Sequence, residues 1–182
     1  MRVRPSSVLA LCAWLGLLAG TAHADTLSFG PHDIRSAFYV SKSENNNQIH
    51  YGVHLDDACR PVGKTPVFAY WRRLKSGTRV DAALEGIGTR FYGASDEQTI
   101  TRSAEGGRVH MYVKAVKQLQ VDISIVKKGK SCVATATTLI AKAPAVLNHA
   151  HLQLGMLGLS VKYMDVFGKR ISDGKAVTQR LN

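Results

Sequence analysis

The chain has 182 residues, with 24 Lys and Arg against 13 Asp and Glu, a net charge of +11 when His is neutral. Its length suits one domain that buries most of the surface an unfolded chain exposes, and no second domain is required. Positive charge of this size draws a protein to acidic surfaces, and the usual candidate, nucleic acid, is set aside by the export signal that opens the chain.

Arg2 and Arg4 precede an apolar run from Val8 to Gly20, and Ala22-His23-Ala24 supplies small residues ahead of Asp25. A basic region, a short apolar region and an Ala-x-Ala site together predict a signal peptide over residues 1–24, cleaved during export to the periplasm or beyond. The 13-residue apolar run is too short for a spanning helix, which takes about 20 residues, so no transmembrane segment is expected after cleavage. Removing the signal leaves 22 basic against 13 acidic residues, a balance of +9. Cys12 leaves with the signal, and Leu11 before it is not the small residue a lipid anchor needs. Cys59 and Cys132 remain, and in an oxidising compartment two cysteines predict one structural disulfide; their separation rules out a Cys-x-x-Cys redox pair.

Residues 25–35 read as a loosely held N-terminal arm, because Gly30-Pro31 interrupts any pattern. Beyond it, residues 36–182 read as one β-rich domain. Ala37–Ser43 and Gln48–Leu55 flank Glu44-Asn45-Asn46-Asn47, whose asparagines suit a tight turn, and predict a hairpin. Pro66–Arg73 is rich in aromatic and β-branched residues, as a strand requires, and Ser76-Gly77 closes it. Asp81–Phe91 is the best helix candidate: Asp81 caps it, Leu84, Ile87 and Phe91 recur at helical spacing, and Gly86 and Gly88 keep it short.

Val109, Met111 and Val113 alternate with Arg108, His110, Tyr112 and Lys114, a strand with one wet face. Leu119, Val121, Ile123 and Ile125 repeat the pattern, Lys127-Lys128-Gly129-Lys130 turns the chain, and Ser131–Ala141 completes an antiparallel meander. After Pro144 come three more segments, Ala145–Leu154, Leu157–Phe167 and Lys175–Arg180, with a turn at Asp173-Gly174. The predicted fold is mainly β: an antiparallel β-sandwich or open barrel of about nine strands with one short helix. An outer-membrane barrel is disfavoured, since the strands are short and carry lysines, and the chain ends Arg180-Leu181-Asn182 without a terminal aromatic residue.

Phe38-Tyr39-Val40-Ser41-Lys42-Ser43, with Asn45, Asn47 and Tyr51 after it, and then Pro66-Val67-Phe68-Ala69-Tyr70-Trp71-Arg72, resemble the bacterial family domain of unknown function 4833. Leu84, Ile87, Arg90 and Tyr92-Gly93 are similar to that family's next block, so the resemblance spans roughly residues 36–140. It implies a single exported β-rich domain and brings no activity, cofactor or site residue with it.

Tyr70 and Arg72 share one strand face, and Arg108, His110, Tyr112 and Lys114 share another. Together these six form the candidate surface for an anionic or sugar ligand, through charge-assisted hydrogen bonds and stacking. Against that stands the fact that every half-buried strand has a polar face. The partner classes that suit the charge are lipid head groups, lipopolysaccharide, anionic glycans and acidic proteins.

His50 and His54, with Asp56 on the same face, and His149 and His151 raise the alternative of a metal-dependent hydrolase. No His-Glu-x-x-His, Gly-x-Ser-x-Gly or dinucleotide-binding motif supports catalysis, and Asp56-Asp57 before Cys59 suits a turn better than acid/base work. The expectation is therefore a non-catalytic binding module without a cofactor.

Overall fold

The structure is a computed structural model that describes residues 27–43, 45–155 and 160–182. The expected signal peptide lies outside the described residues. No helix among the described residues is long and apolar enough to cross a membrane.

Eleven strands and one helix follow in the order β1 (Ile34–Lys42), β2 (Asn45–Val53), β3 (Val67–Lys75), β4 (Thr78–Ala83), α1 (Ile87–Tyr92), β5 (Thr99–Ser103), β6 (Gly106–Val113), β7 (Val116–Lys128), β8 (Ser131–Ile140), β9 (Ala143–Leu154), β10 (Val161–Arg170) and β11 (Ala176–Leu181). All the strands belong to one mixed sheet in the order β4-β3-β2-β1-β9-β8-β7-β6-β5, with β10 on β9 and β11 on β10. The mainly β prediction with one short helix holds, and the sheet is not closed into a barrel.

The sheet divides at β9. Along its whole length one edge pairs antiparallel with β10, while the other edge pairs first with β8, Thr137 opposite Val146, and then with β1, Tyr39 opposite His149. The β1–β9 pairing is parallel, the one departure from an otherwise antiparallel sheet. At the division β9 carries an irregularity: Phe167 pairs with His149 and Gly168 with Leu147, so Asn148 has no opposite number. An extra residue of this kind reverses which alternate positions face inward. Ala145 and Leu147 are buried before it, Ala150, Leu152 and Leu154 after it. His149 and His151 are thereby placed on the face opposite the core.

One leaf, β1 to β4, and another, β5 to β8, lay their apolar faces against a common interior. Phe38, Val40, Ile49, Tyr51 and Val53 from the first meet Val109, Met111, Val121, Ile123 and Ile125 from the second. Tyr51 sits in the middle of it, stacks on Phe38 at 4.4 Å and donates its hydroxyl hydrogen to the Tyr92 carbonyl 2.7 Å away. Burial raises the Tyr51 pKa far above that of a free phenol. The Cys59–Cys132 disulfide ties the loop after β2 to β8, as expected from the cysteine count. Arg102 adds hydrogen bonds to the carbonyls of Pro61 and Gly63, and Lys127 one to that of Asp57.

The helix is shorter than its sequence pattern suggests. Asp81 does not cap it; Ser76 and Gly77, both at positive φ, turn the chain back as β4, and Asp81 pairs with Arg72 across the hairpin. α1 starts only at Ile87, behind Gly86, without a side-chain cap. The N-terminal arm is held more firmly than its composition suggests. Asp33 accepts hydrogen bonds from the backbone of Gly30 and Leu55 and pairs with His54, and Phe29 packs on Phe68 and Tyr70. Burial alone would raise the Asp33 pKa, but these three partners together hold it below the usual carboxylate value.

The β8–β9 hairpin turns on Ala141 and Lys142, both at positive φ, where Asn-Gly is the favoured pair. Replacing them with Asn and Gly is expected to raise stability by about 1 kcal/mol. Urea unfolding of A141N/K142G against wild type measures this, and an unchanged midpoint would refute it.

Candidate functional site

Opposite the core, the first leaf continues through the second half of β9 into β10 and β11, giving a seven-stranded outer face. Two rows of side chains run across it at right angles to the strands. In the first, Tyr70, His50, Tyr39, His149 and Phe167 are successive cross-strand neighbours on β3, β2, β1, β9 and β10. Their rings stack in series, with centroids 5.6, 5.3, 5.2 and 4.6 Å apart and interplanar angles no larger than 27°. Stacked in this way, each ring covers its neighbour, so the row offers edges and polar atoms to a ligand rather than open faces.

At the β3 end the row continues to Phe68 and His54, whose rings stack at 4.2 Å. Phe68 lies across Gly52, where a Cβ would run into that ring and the Ile34 carbonyl, so β2 needs glycine there. Phe29 covers Phe68 and Tyr70, and the Arg35 guanidinium lies 5.0 Å above the Phe29 ring. His50 is buried, bonded through Nδ1 to Ser36 Oγ and through Nε2 to Gln48 Oε1. Burial, with the Arg72 charge nearby, pushes its pKa down to about 4, so the ring is neutral at physiological pH. His149 is likewise shifted down, first by burial and then by His151, and its Nδ1 is buried without a hydrogen-bond partner.

The second row lies one residue pair further along the strands. Asp81, Arg72, Gln48, Ser41, His151, Asp165 and Arg180 are successive cross-strand partners from β4 to β11. Its ends are closed by ion pairs. Arg72 donates to both carboxylate oxygens of Asp81, at 2.7 and 3.0 Å, and Arg180 to both of Asp165, at 2.8 Å each. Each guanidinium holds its carboxyl below the usual carboxylate range. Between the pairs, Ser41 Oγ meets His151 Nδ1 at 2.9 Å. That leaves Arg72 Nη1, the Gln48 amide nitrogen and His151 Nε2 without a partner among the described residues.

Beside this row opens a cleft of about 390 Å³ lined by Ser41, Lys42, Asn45, Asn46, Gln48, Leu74, Arg79 and His151. Lys42, Arg79 and His151 all reach it, and no described carboxylate lines it. Arg79 is exposed and forms no ion pair with a described residue, since Asp81 on the same strand is taken by Arg72. Lys42 is held over the Trp71 ring, 4.9 Å from its centroid.

The six residues expected to form one ligand surface are divided between the two leaves. Tyr70 and Arg72 belong to the rows just described; Tyr70 is fully buried and meets the polar row through its hydroxyl, which accepts a hydrogen bond from Arg72 Nη2 at 3.0 Å. Arg108, His110 and Tyr112 lie on the outer face of the other leaf, because the residues alternating with them, Val109, Met111 and Val113, fill the same core from the opposite side, while Lys114, just past the end of β6, lines a cleft with Val67, Phe68 and Ala69 of β3. On that outer face His110 bonds to Asp122 and Gln120 beside a further cleft that includes Leu139, Pro144 and Ile171, and Lys114 pairs with Asp96.

The histidines do not converge on one point. His50 and His149 flank Tyr39, His151 lies in the polar row, His54 pairs with Asp33, and His110 is on the other leaf. Among the described residues no three His, Cys, Asp or Glu side chains come together to hold a metal ion.

The residues that sequence reasoning missed are Tyr39, Ser41, Gln48, Arg79, Asp165, Phe167 and Arg180. A signal for most of them was present: Tyr39 and Ser41, His50 and Gln48, Tyr70 and Arg72, His149 and His151, Phe167 and Asp165 each set a ring and a polar group two residues apart on one strand.

No curated protein and no solved structure matches the chain. A family model does, over residues 38–180, and this reaches beyond the initial resemblance to take in β9, β10 and β11. The chain that builds this outer face therefore belongs to the family described as domain of unknown function DUF4833.

Proposed function

We propose that the protein is a non-catalytic binding module of the cell envelope, reached by export, which takes up an anionic group of its partner on the outer face of the first leaf. The observation that carries this reading is the cleft in which Arg79 and His151 meet three amide side chains with no described carboxylate among them. An unpaired guanidinium beside amide donors suits a carboxylate, phosphate or sulfate, because charge-assisted hydrogen bonds to such groups are about twice as strong as neutral ones. The surrounding rows favour binding over catalysis: their carboxylates are bonded to arginines, and their histidines are stacked or bonded to neutral neighbours. Beside the Ser41–His151 pair, the carboxylate on the next strand, Asp165, is bonded to Arg180 and not to His151, so no described group orients that histidine as a base.

The test is retention of the mature protein on polygalacturonate beads and on phosphatidylglycerol vesicles, with neutral beads and phosphatidylcholine vesicles as controls. Retention on an anionic matrix at about 0.01 M ionic strength, weakened near 0.15 M, is expected. Arg79→Gln should lower affinity about tenfold without changing the unfolding midpoint, since the side chain is exposed and pairs with no described residue. Equal retention of wild type and Arg79→Gln, or retention on neither anionic matrix, would overturn the reading.

A further inference from the structure

On the basis of that reading, we infer that the partner is an extended acidic polysaccharide whose chain lies across the strands along the Asp81–Arg180 row, with one of its carboxylates seated in the Arg79 cleft. Three features of the row specify this ligand. The first is reach. Arg72, Gln48, Ser41 and His151 stand on four adjacent strands, and strands in a sheet are about 4.8 Å apart, so the unpartnered donors are spread over roughly 14 Å. A compact anion in the cleft meets Gln48, Ser41 and His151 but leaves Arg72 beyond it.

The second is the mixture of donors and acceptors. Arg72 Nη1 and the Gln48 amide donate, His151 Nε2 donates or accepts according to its tautomer, and Asp81 and Asp165, partly exposed at 25% and 19%, accept. Hydroxyl groups can both give and receive hydrogen bonds and so satisfy every position. A surface of closely spaced phosphates brings no hydroxyl donors to Asp81 and Asp165.

The third is rigidity. The stacked rings form a wall parallel to the polar row, two residues away along each strand, and Gln48 is fixed by its bond to the buried His50. Side chains held in place before binding lose little entropy when a long ligand arrives. Tyr39, with its ring clamped between His50 and His149, is the wall's central member.

Oligogalacturonates from the monomer to the octamer, titrated calorimetrically into the mature protein, test the inference. Affinity is expected to rise about tenfold or more between dimer and octamer, as each added sugar binds at high effective concentration. The D165N/R180Q variant changes the β10–β11 end of the row, which begins one strand beyond the cleft residue His151, and should weaken octamer binding several-fold while changing dimer binding far less. If galacturonate monomer and octamer bind equally, or if phosphatidylglycerol vesicles bind and no oligogalacturonate does, the polysaccharide inference falls and the anionic reading stands. If neither class of anionic probe binds, both fall. If octamer binding is unchanged in D165N/R180Q, the proposed path along the row is wrong.

Discussion

Replacing both Cys59 and Cys132 with alanine is expected to lower the free energy of unfolding by about 4 kcal/mol, the largest effect of any change proposed for this protein. The bond joins residues 73 positions apart, and a cross-link closing so long a loop removes much of the freedom of the unfolded chain. It also connects the two leaves at a point where no strand pairing does: Cys59 follows β2, and Cys132 lies on β8 beside β7. Against a total stability of about 5–15 kcal/mol for a domain of this size, such a loss is severe.

The native arrangement should nevertheless survive the change. Asp56 holds the Cys59 loop through the backbone of Ala58 and Arg60, and Arg102 grips the carbonyls of Pro61 and Gly63. The measurement is urea unfolding of oxidised wild type, reduced wild type and the double variant, with far-ultraviolet circular dichroism to follow the strands. A loss below about 1 kcal/mol would mean that the core alone holds the leaves together.

The second large effect is a fall in stability on acidification, centred on His50. In the folded protein its pKa is about 4, set first by burial and then by Arg72, against an ordinary value near 6.5. Between these two values the unfolded chain takes up a proton that the folded chain refuses, so stability rises with pH in that window. The contribution is fully present above pH 6.5 and is lost as pH falls towards 4. The full span corresponds to roughly 3 kcal/mol. His149, whose pKa is also lowered by burial, adds to the loss below pH 6.5, while Asp33 and Asp81 act in the same direction but below the ordinary carboxylate value of 3.8.

Unfolding by urea at pH 7 and at pH 4.5 therefore separates the histidine contribution from that of the carboxylates. Wild type should lose most of the His50 contribution over this interval, and His50→Gln should show a flatter profile from a lower starting point. Equal slopes in the two proteins would remove His50 as the cause. Because His50 also anchors Gln48, the same variant is expected to loosen the centre of the polar row.

Much of the fold could be read along the chain because strands with one apolar face announce themselves by alternation. Val109, Met111 and Val113, then Val121, Ile123 and Ile125, gave β6 and β7 their faces before any partner was known. The two missed strands lack that mark. β5 is an edge strand with one partly buried residue, Ile100, and β4 carries Val80 exposed. The first half of the expected helix became strand for a related reason: helical spacing from Leu84 to Phe91 is a weak signal beside the Arg72–Asp81 ion pair that draws residues 78–83 into the sheet, and the helix keeps only Ile87–Tyr92. The single break in β9 at Asn148 was also invisible, since a bulge shows itself only against a partner strand.

The site was legible only in fragments, each a pair of residues on one strand. Side-chain alternation fixes which residues share a face of one strand, and it correctly grouped Tyr70 with Arg72 and His149 with His151. It is silent on which strands are neighbours. Tyr70 and His110 were therefore assigned to one surface although the core lies between them, while Tyr39 and His149, 110 positions apart, were not connected at all.

The sequence by itself determined that the chain is β-rich, that Cys59 and Cys132 join, and which side of each regular strand is apolar, because these follow from local alternation and from counting. Only the tertiary structure decided that β1 runs parallel beside β9, and with it the two rows and the cleft at their side. Lateral order in a sheet is fixed by backbone hydrogen bonds and by burial summed over the whole core, and no short stretch of residues records it.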